Sequence, residues 1–204
     1  KKKKKYRSQY VPANKLESLL TGFDPENPGL PEAFQPYDPA NPPADDSIAR
    51  ITTDKGVELP FIVRMEEGVQ NRDRYLIMPL YQPDQPWTAL ALQPQWNGKL
   101  LIHHGGNVGV SYGMGEVPRG DIAGTAPAGA ELLLGDSITT ALARGFMTLS
   151  TAQANLGHNA NLVTAAESLM MGKEGSIEQY GEIRYTIGPG CPGGSITQHH
   201  GANA

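Results

Sequence analysis

Cys191 and Ser195 are the side chains whose type and placement fit them best to act as a nucleophile in this sequence. They lie in the run Gly188-Pro189-Gly190-Cys191-Pro192-Gly193-Gly194-Ser195, which follows a short apolar stretch at 183–187. A strand driven into a glycine turn that opens a helix is the geometry of a hydrolase nucleophile elbow. Small neighbours let backbones approach, and the helix N-terminus favours a developing anion. The chemistry of such a turn is acyl transfer through a covalent intermediate. A Gly-x-nucleophile-x-Gly frame laid on 190–194 puts Pro192 in the nucleophile's place. Proline has no nucleophilic atom and cannot reach the positive φ that an elbow demands. Either the frame is shifted, leaving Cys191 and Ser195 as the nearby nucleophiles, or the site is dead.

A second glycine run, His103-His104-Gly105-Gly106-Asn107, leaves the apolar residues 100–102. Backbone N–H groups in such a loop can point at a substrate oxygen unobstructed by β-carbons, so those near Gly106 and Asn107, with that of Gly193 on the elbow, are the candidate oxyanion donors. His104 is expected to shape this loop by hydrogen bonding, and His103 to face the other side of its strand. The five histidines, His103, His104, His158, His199 and His200, all precede the elbow or follow it within two turns. Nucleophile, acid, histidine is the chain order of a triad on this kind of sheet, so none of them serves as the distal base. His199 and His200 are expected on the elbow helix, exposed or facing a partner. No converging cysteine or carboxylate pattern accompanies the histidine pairs, so neither a metal nor another cofactor is expected.

The elements that must position these residues follow from periodicity and punctuation. Residues 48–53 and 58–64 read as strands joined through Asp54-Lys55-Gly56, and 72–80 as a third, giving an antiparallel start. Beyond them the chain alternates: strand 100–104, helix 137–144 with Asp136 or Ser137 as N-cap and Gly145 as its stop, and strand 146–152. A longer helix capped by Asn159 or Asn161 carries Leu162, Ala166, Leu169, Met170, Ile177 and Tyr180 at helical spacing and ends at Gly181. Strand 183–187 then enters the elbow, and Ser195 onward forms its helix. This alternation predicts an α/β fold, a doubly wound, mostly parallel sheet of the hydrolase type with loops clustered at the carboxyl ends of the strands.

The first third of the chain carries little regular signal. Asp24-Pro25, Asn27-Pro28, Asp38-Pro39 and Asn41-Pro42-Pro43 resist regular structure, and 15–20 is the one helical turn expected there. Lys1 to Lys5 is a charge run with no apolar stretch behind it, which reads as a tag-like terminus and not as an intact signal peptide. Residues 1–45 are therefore expected as an extended segment, with order from near Ser47 and one domain portion over 46–204. A formal charge of -4 gives no electrostatic reason for nucleic acid, and no apolar run approaches the roughly 18 residues of a membrane span. Cys191 is the single cysteine, so the chain has no internal disulfide.

Asn97-Gly98-Lys99-Leu100, His104-Gly105-Gly106, Ala143-Arg144-Gly145-Phe146, the run 165–171, Gln179-Tyr180-Gly181, and Tyr185-Thr186-Ile187-Gly188 with Gly193-Gly194-Ser195-Ile196 stand in an order and spacing that resembles the DUF6351 family of bacterial α/β hydrolases, distantly similar to tannase and feruloyl esterases. The resemblance spans about 96–204. It implies a secreted or periplasmic hydrolase acting on small-molecule or polymeric esters, with Pro192 aligned on the family's nucleophilic serine. It further implies that Cys191 matches a cysteine that relatives bond to one beside the catalytic histidine. Acid and histidine would come from the C-terminal remainder of the same precursor or from a complementary chain. The other reading is a non-catalytic binding or scaffold subunit whose nucleophile position is lost to Pro192.

Overall fold

Strands β5 (Ile62–Gln70) and β6 (Asp73–Pro79) form the hairpin on which the sheet is built. Its two-residue loop places Asn71 and Arg72 at φ 46° and 67°, and positive φ at both central positions is the turn whose twist matches that of the flanking strands. The computed structural model describes residues 4–21, 34–105, 108–111, 113–117, 137–190 and 193–202. The remaining strands are β1 (Lys5–Tyr10), β2 (Gln35–Pro36), β3 (Arg50–Thr52), β4 (Glu58–Pro60), β7 (Lys99–His103), β8 (Met147–Thr151) and β9 (Tyr185–Ile187). Among the described residues the α-helices are α1 (Leu16–Thr21), α2 (Ser137–Ala143), α3 (Leu162–Tyr180) and α4 (Gly193–Gly201).

Seven strands join in the order β2-β1-β5-β6-β8-β7-β9, with β3 and β4 as a separate hairpin. The fold is mixed α/β, but the expected mostly parallel sheet is not what these residues form. The pairs β2–β1, β1–β5, β5–β6 and β6–β8 are antiparallel, and only β8–β7 and β7–β9 are parallel. The cause is the side of the hairpin on which each segment adds. The βαβ units stack on β6, while β1 adds to the free edge of β5 and extends the antiparallel half.

Order also begins well before Ser47. β1 pairs with β5 from Lys5↔Glu67 to Tyr10↔Ile62. Its side chains are not core residues: Arg7 pairs with Glu67, the Arg64 guanidinium lies 4.3 Å from the Tyr6 ring centroid, and Lys4, just ahead of the strand, pairs with Glu66. A strand held by ladder bonds and charge carries no apolar alternation for sequence reasoning to find.

The two faces of the sheet bury different helices. Leu76, Met78 and Leu101 pack with Ile138, Ala141 and Leu142 of α2, whereas Tyr75, Ile77, Leu100, Ile102 and Leu149 pack with Ala165, Leu169 and Tyr180 of α3. This is the period-2 alternation of a strand, read from both sides. The crossover from β7 through α2 reaches β8 on one side, and the crossover from β8 through α3 reaches β9 on the other. The winding therefore reverses at β7. Crossovers of one hand that step in opposite directions put their helices on opposite faces, which is where the two clusters have them.

The caps are local chemistry. Asn161 Oδ1 accepts from the N–H groups of Val163 and Thr164 to start α3, and Gly181 at φ 99° ends it. Gly145 at φ 89° supplies the left-handed stop expected after α2.

Candidate functional site at the carboxyl ends of the parallel strands

β7, β8 and β9 run parallel, so their carboxyl ends open on one rim of the sheet, where a reversal of winding leaves a crevice. The glycine segment after β7 and the glycine-rich segment after β9 meet there. The His104 amide donates to the Pro189 carbonyl at 3.3 Å. A β-carbon built on Gly194 would collide with the Gly105 carbonyl oxygen, and one on Gly190 would stand 2.6 Å from the Gly194 α-carbon. Gly188 faces the His104 ring, 2.8 Å from Nε2 by the same test. These three glycines are glycines because neighbouring groups fill the space of their β-carbons.

His104 is buried at the end of β7, and its Nδ1 finds no hydrogen-bond partner among the described residues. Burial, with the neighbouring His103 second, pushes its imidazole down to about 4. At neutral pH the ring is uncharged and not a base poised near the working pH, and the hydrogen bond that ties this segment to Pro189 is made by the His104 backbone amide, not by the ring. His103 is buried on the same strand.

Helix α4 has Gly193 and Gly194 buried and Ser195 half-buried in its first turn. Thr197 Oγ1 donates to the Gly193 carbonyl at 3.4 Å. His199 and His200 are exposed in the last turn, at the negative end of the helix dipole. Cys191, Pro192, Gly106 and Asn107 lie outside the described residues. Between the sheet and α3 and α4 is a cavity of about 800 Å³, lined by Ile102, His104, Leu169, Lys173, Thr186 and Gln198 among others. Thr186 is its contribution from β9, a strand exposed along its whole length.

Sequence reasoning did not single out a second cluster on the same rim. Asp73, at the start of β6, is buried and its Oδ2 lies 2.7 Å from Nε2 of His158 in the loop after β8. The pair is 85 residues apart in sequence, and only the β6–β8 pairing brings it together. Among the described residues no group of three or more His, Cys, Asp or Glu side chains is arranged to hold a metal ion, and no helix is long and apolar enough to cross a membrane.

No curated protein and no solved structure matches the chain. One family profile does, and it covers the antiparallel half of the sheet as well as the parallel half: over residues 2–204 the chain belongs to DUF6351, a tannase-like family of unknown function.

Proposed function

We propose that this chain forms the sheet, oxyanion loop and elbow of a secreted ester hydrolase of the α/β type. The observation that carries the reading is the contact between the elbow and the glycine segment after β7, where Gly194 and Gly105 meet backbone to backbone at the start of a helix. A backbone junction of this kind is what an acyl-transfer site requires, because N–H donors from two segments must converge on one oxygen. Membership of a tannase-like family favours an ester over an amide. In the step proposed, the O–H or S–H of the nucleophile adds to the ester carbonyl and its proton passes to a base. The N–H groups near Gly106, Asn107 and Gly193 hold the oxyanion, the alcohol departs with the proton, and water releases the acyl group. Cys191 and Ser195 are the candidate nucleophiles. The base is not His104, whose imidazole is held down near 4. Acid and histidine come from further sequence of the same precursor or from a complementary chain, which the open β9 edge is suited to receive.

A non-catalytic scaffold is the second reading, favoured by Pro192 at the nucleophile's position. Treatment of the native protein with a fluorophosphonate ester probe, followed by peptide mapping, separates the two. An adduct on Ser195 or Cys191 is expected. Absence of label at every serine and cysteine assigns the protein to the scaffold class.

A further inference from the structure

We infer that Asp73 and His158 are positioning residues that latch the glycine-rich loop after β7 to the sheet, a role that rests on the hydrolase reading for its catalytic consequence. Asp73 is almost fully buried, and four protein groups engage its carboxylate among the described residues. Oδ1 accepts from the amides of Arg74 and Gly115, each at 2.9 Å, and Oδ2 lies 2.7 Å from His158 Nε2 and accepts from Gln153 Nε2 at 3.3 Å. A single carboxylate thus ties together β6, the loop after β8 and the loop after β7.

Backbone bonds add to the same seam. The Gly109 amide donates to the Leu156 carbonyl at 2.8 Å, and the Ser111 amide to the His158 carbonyl at 2.9 Å. Gly115 lies so close to the imidazole that a β-carbon there would stand 2.5 Å from its Cδ2. The loop therefore fits the His158 ring as well as the carboxylate.

Placement decides against a direct chemical role. The sheet runs β6-β8-β7-β9 and the His158 ring is held against Asp73 of β6, so it is engaged on the side of β8 away from β9. An imidazole committed to that carboxylate is turned away from the segment after β9, where the proposed nucleophiles lie. β7 stands between β8 and β9, and in the hydrolase reading the segment that follows it carries the oxyanion donors, so holding its described part at 108–117 is what would fix them. Charge-assisted bonds to a buried carboxylate suit the task, because they are short and directional.

The test combines amide hydrogen exchange with kinetics on the native protein. His158→Ala and Asp73→Ala are expected to speed exchange over 108–117 by roughly tenfold or more while the amides of β5, β6 and β8 keep their protection. They should also lower kcat on the order of 10²-fold with little change in KM, the result of misplacing a preorganised group. His158→Gln, whose Nε2 can donate to Asp73, should restore much of both. If the alanine variants do not fold, Gly115→Ala applies the same test from the loop side, since its methyl must push the imidazole or the loop away. Unchanged exchange over 108–117 in a folded variant overturns the latch. Faster exchange with unchanged kcat in an active enzyme overturns the positioning role. A wild-type protein that neither turns over esters nor takes the ester probe refutes the hydrolase reading instead, and exchange alone then decides the latch.

Discussion

Gly194 and Gly105 are in backbone contact: the second residue of α4 sits against the carbonyl oxygen of the second residue beyond β7. Two chain segments almost ninety positions apart are thereby brought to the separation of packed peptide groups. No side-chain rotation can relieve a clash at such a place, so the junction tolerates only glycine.

Gly194→Ala is accordingly expected to destabilise the protein by about 1–3 kcal/mol and to abolish any ester turnover, since the methyl must displace the glycine segment after β7. Gly175→Ala is the control. No atom lies within 4 Å of its built β-carbon in the middle of α3, and it should stabilise by roughly 0.5–1 kcal/mol. Thermal unfolding of both variants checks the contrast, and two shifts of the same sign would contradict it.

Placing serine at 192 tests the elbow reading from the other side. With the loop, the helix terminus and the remaining triad members present, Pro192→Ser should create or raise turnover of small activated esters. The missing nucleophile accounts for most of the roughly 10⁶-fold effect of a complete triad. A soundly folded variant with unchanged turnover counts against the assignment of position 192.

His104 gives the protein an acid-side pH dependence. Its imidazole titrates near 6.5 when unfolded and near 4 when folded, so the native state binds fewer protons in between. Its contribution is complete above about pH 6.5, declines as the pH falls, and is gone below about pH 4, a change on the order of 3 kcal/mol. Urea midpoints across this window should fall toward acid, and His104→Asn should flatten the fall. An identical slope in the variant would place the effect elsewhere.

The β9 edge predicts the behaviour of residues 1–204 in isolation. Tyr185 is 66% exposed and Ile187 49%, and Met170 and Ile177 of α3 are exposed alongside. At about 25 cal/mol per Å², covering a few hundred Å² of such surface is comparable with the whole stability of a domain. The isolated chain should bind a hydrophobic dye or self-associate, and Ile187→Lys should reduce both. Monomeric sedimentation with a sharp unfolding transition and no dye binding would sink the idea that another segment covers this edge.

The parts legible in the sequence were those whose signal is local. Asn161 and Gly181 bound α3 through a side-chain cap and a left-handed residue, each recognisable within a few positions. The short apolar runs of β6 and β7 and the alternation of β8 marked them as strands, and the glycine pattern marked the junction at the rim. Two features were not legible, for one physical reason. β1 owes its place to a ladder with β5 and to charge pairs with Glu66 and Glu67, and Asp73 owes its partner to the β6–β8 register. Neither interaction leaves a trace within its own segment.

The pairing of β1 with β5 bears on the order of events during synthesis. Every residue of β1 leaves the ribosome 52 to 62 positions ahead of its partner, from Tyr10↔Ile62 to Lys5↔Glu67. At roughly 5–20 residues per second it spends about 3 to 12 seconds without a ladder to join. A strand made of Lys5, Tyr6, Arg7, Ser8, Gln9 and Tyr10 can wait in that way because it is polar enough to stay solvated, whereas an apolar strand of the same length would be exposed to aggregation throughout the interval. The charged composition that hides β1 from pattern reading is thus what suits it to being translated early and paired late.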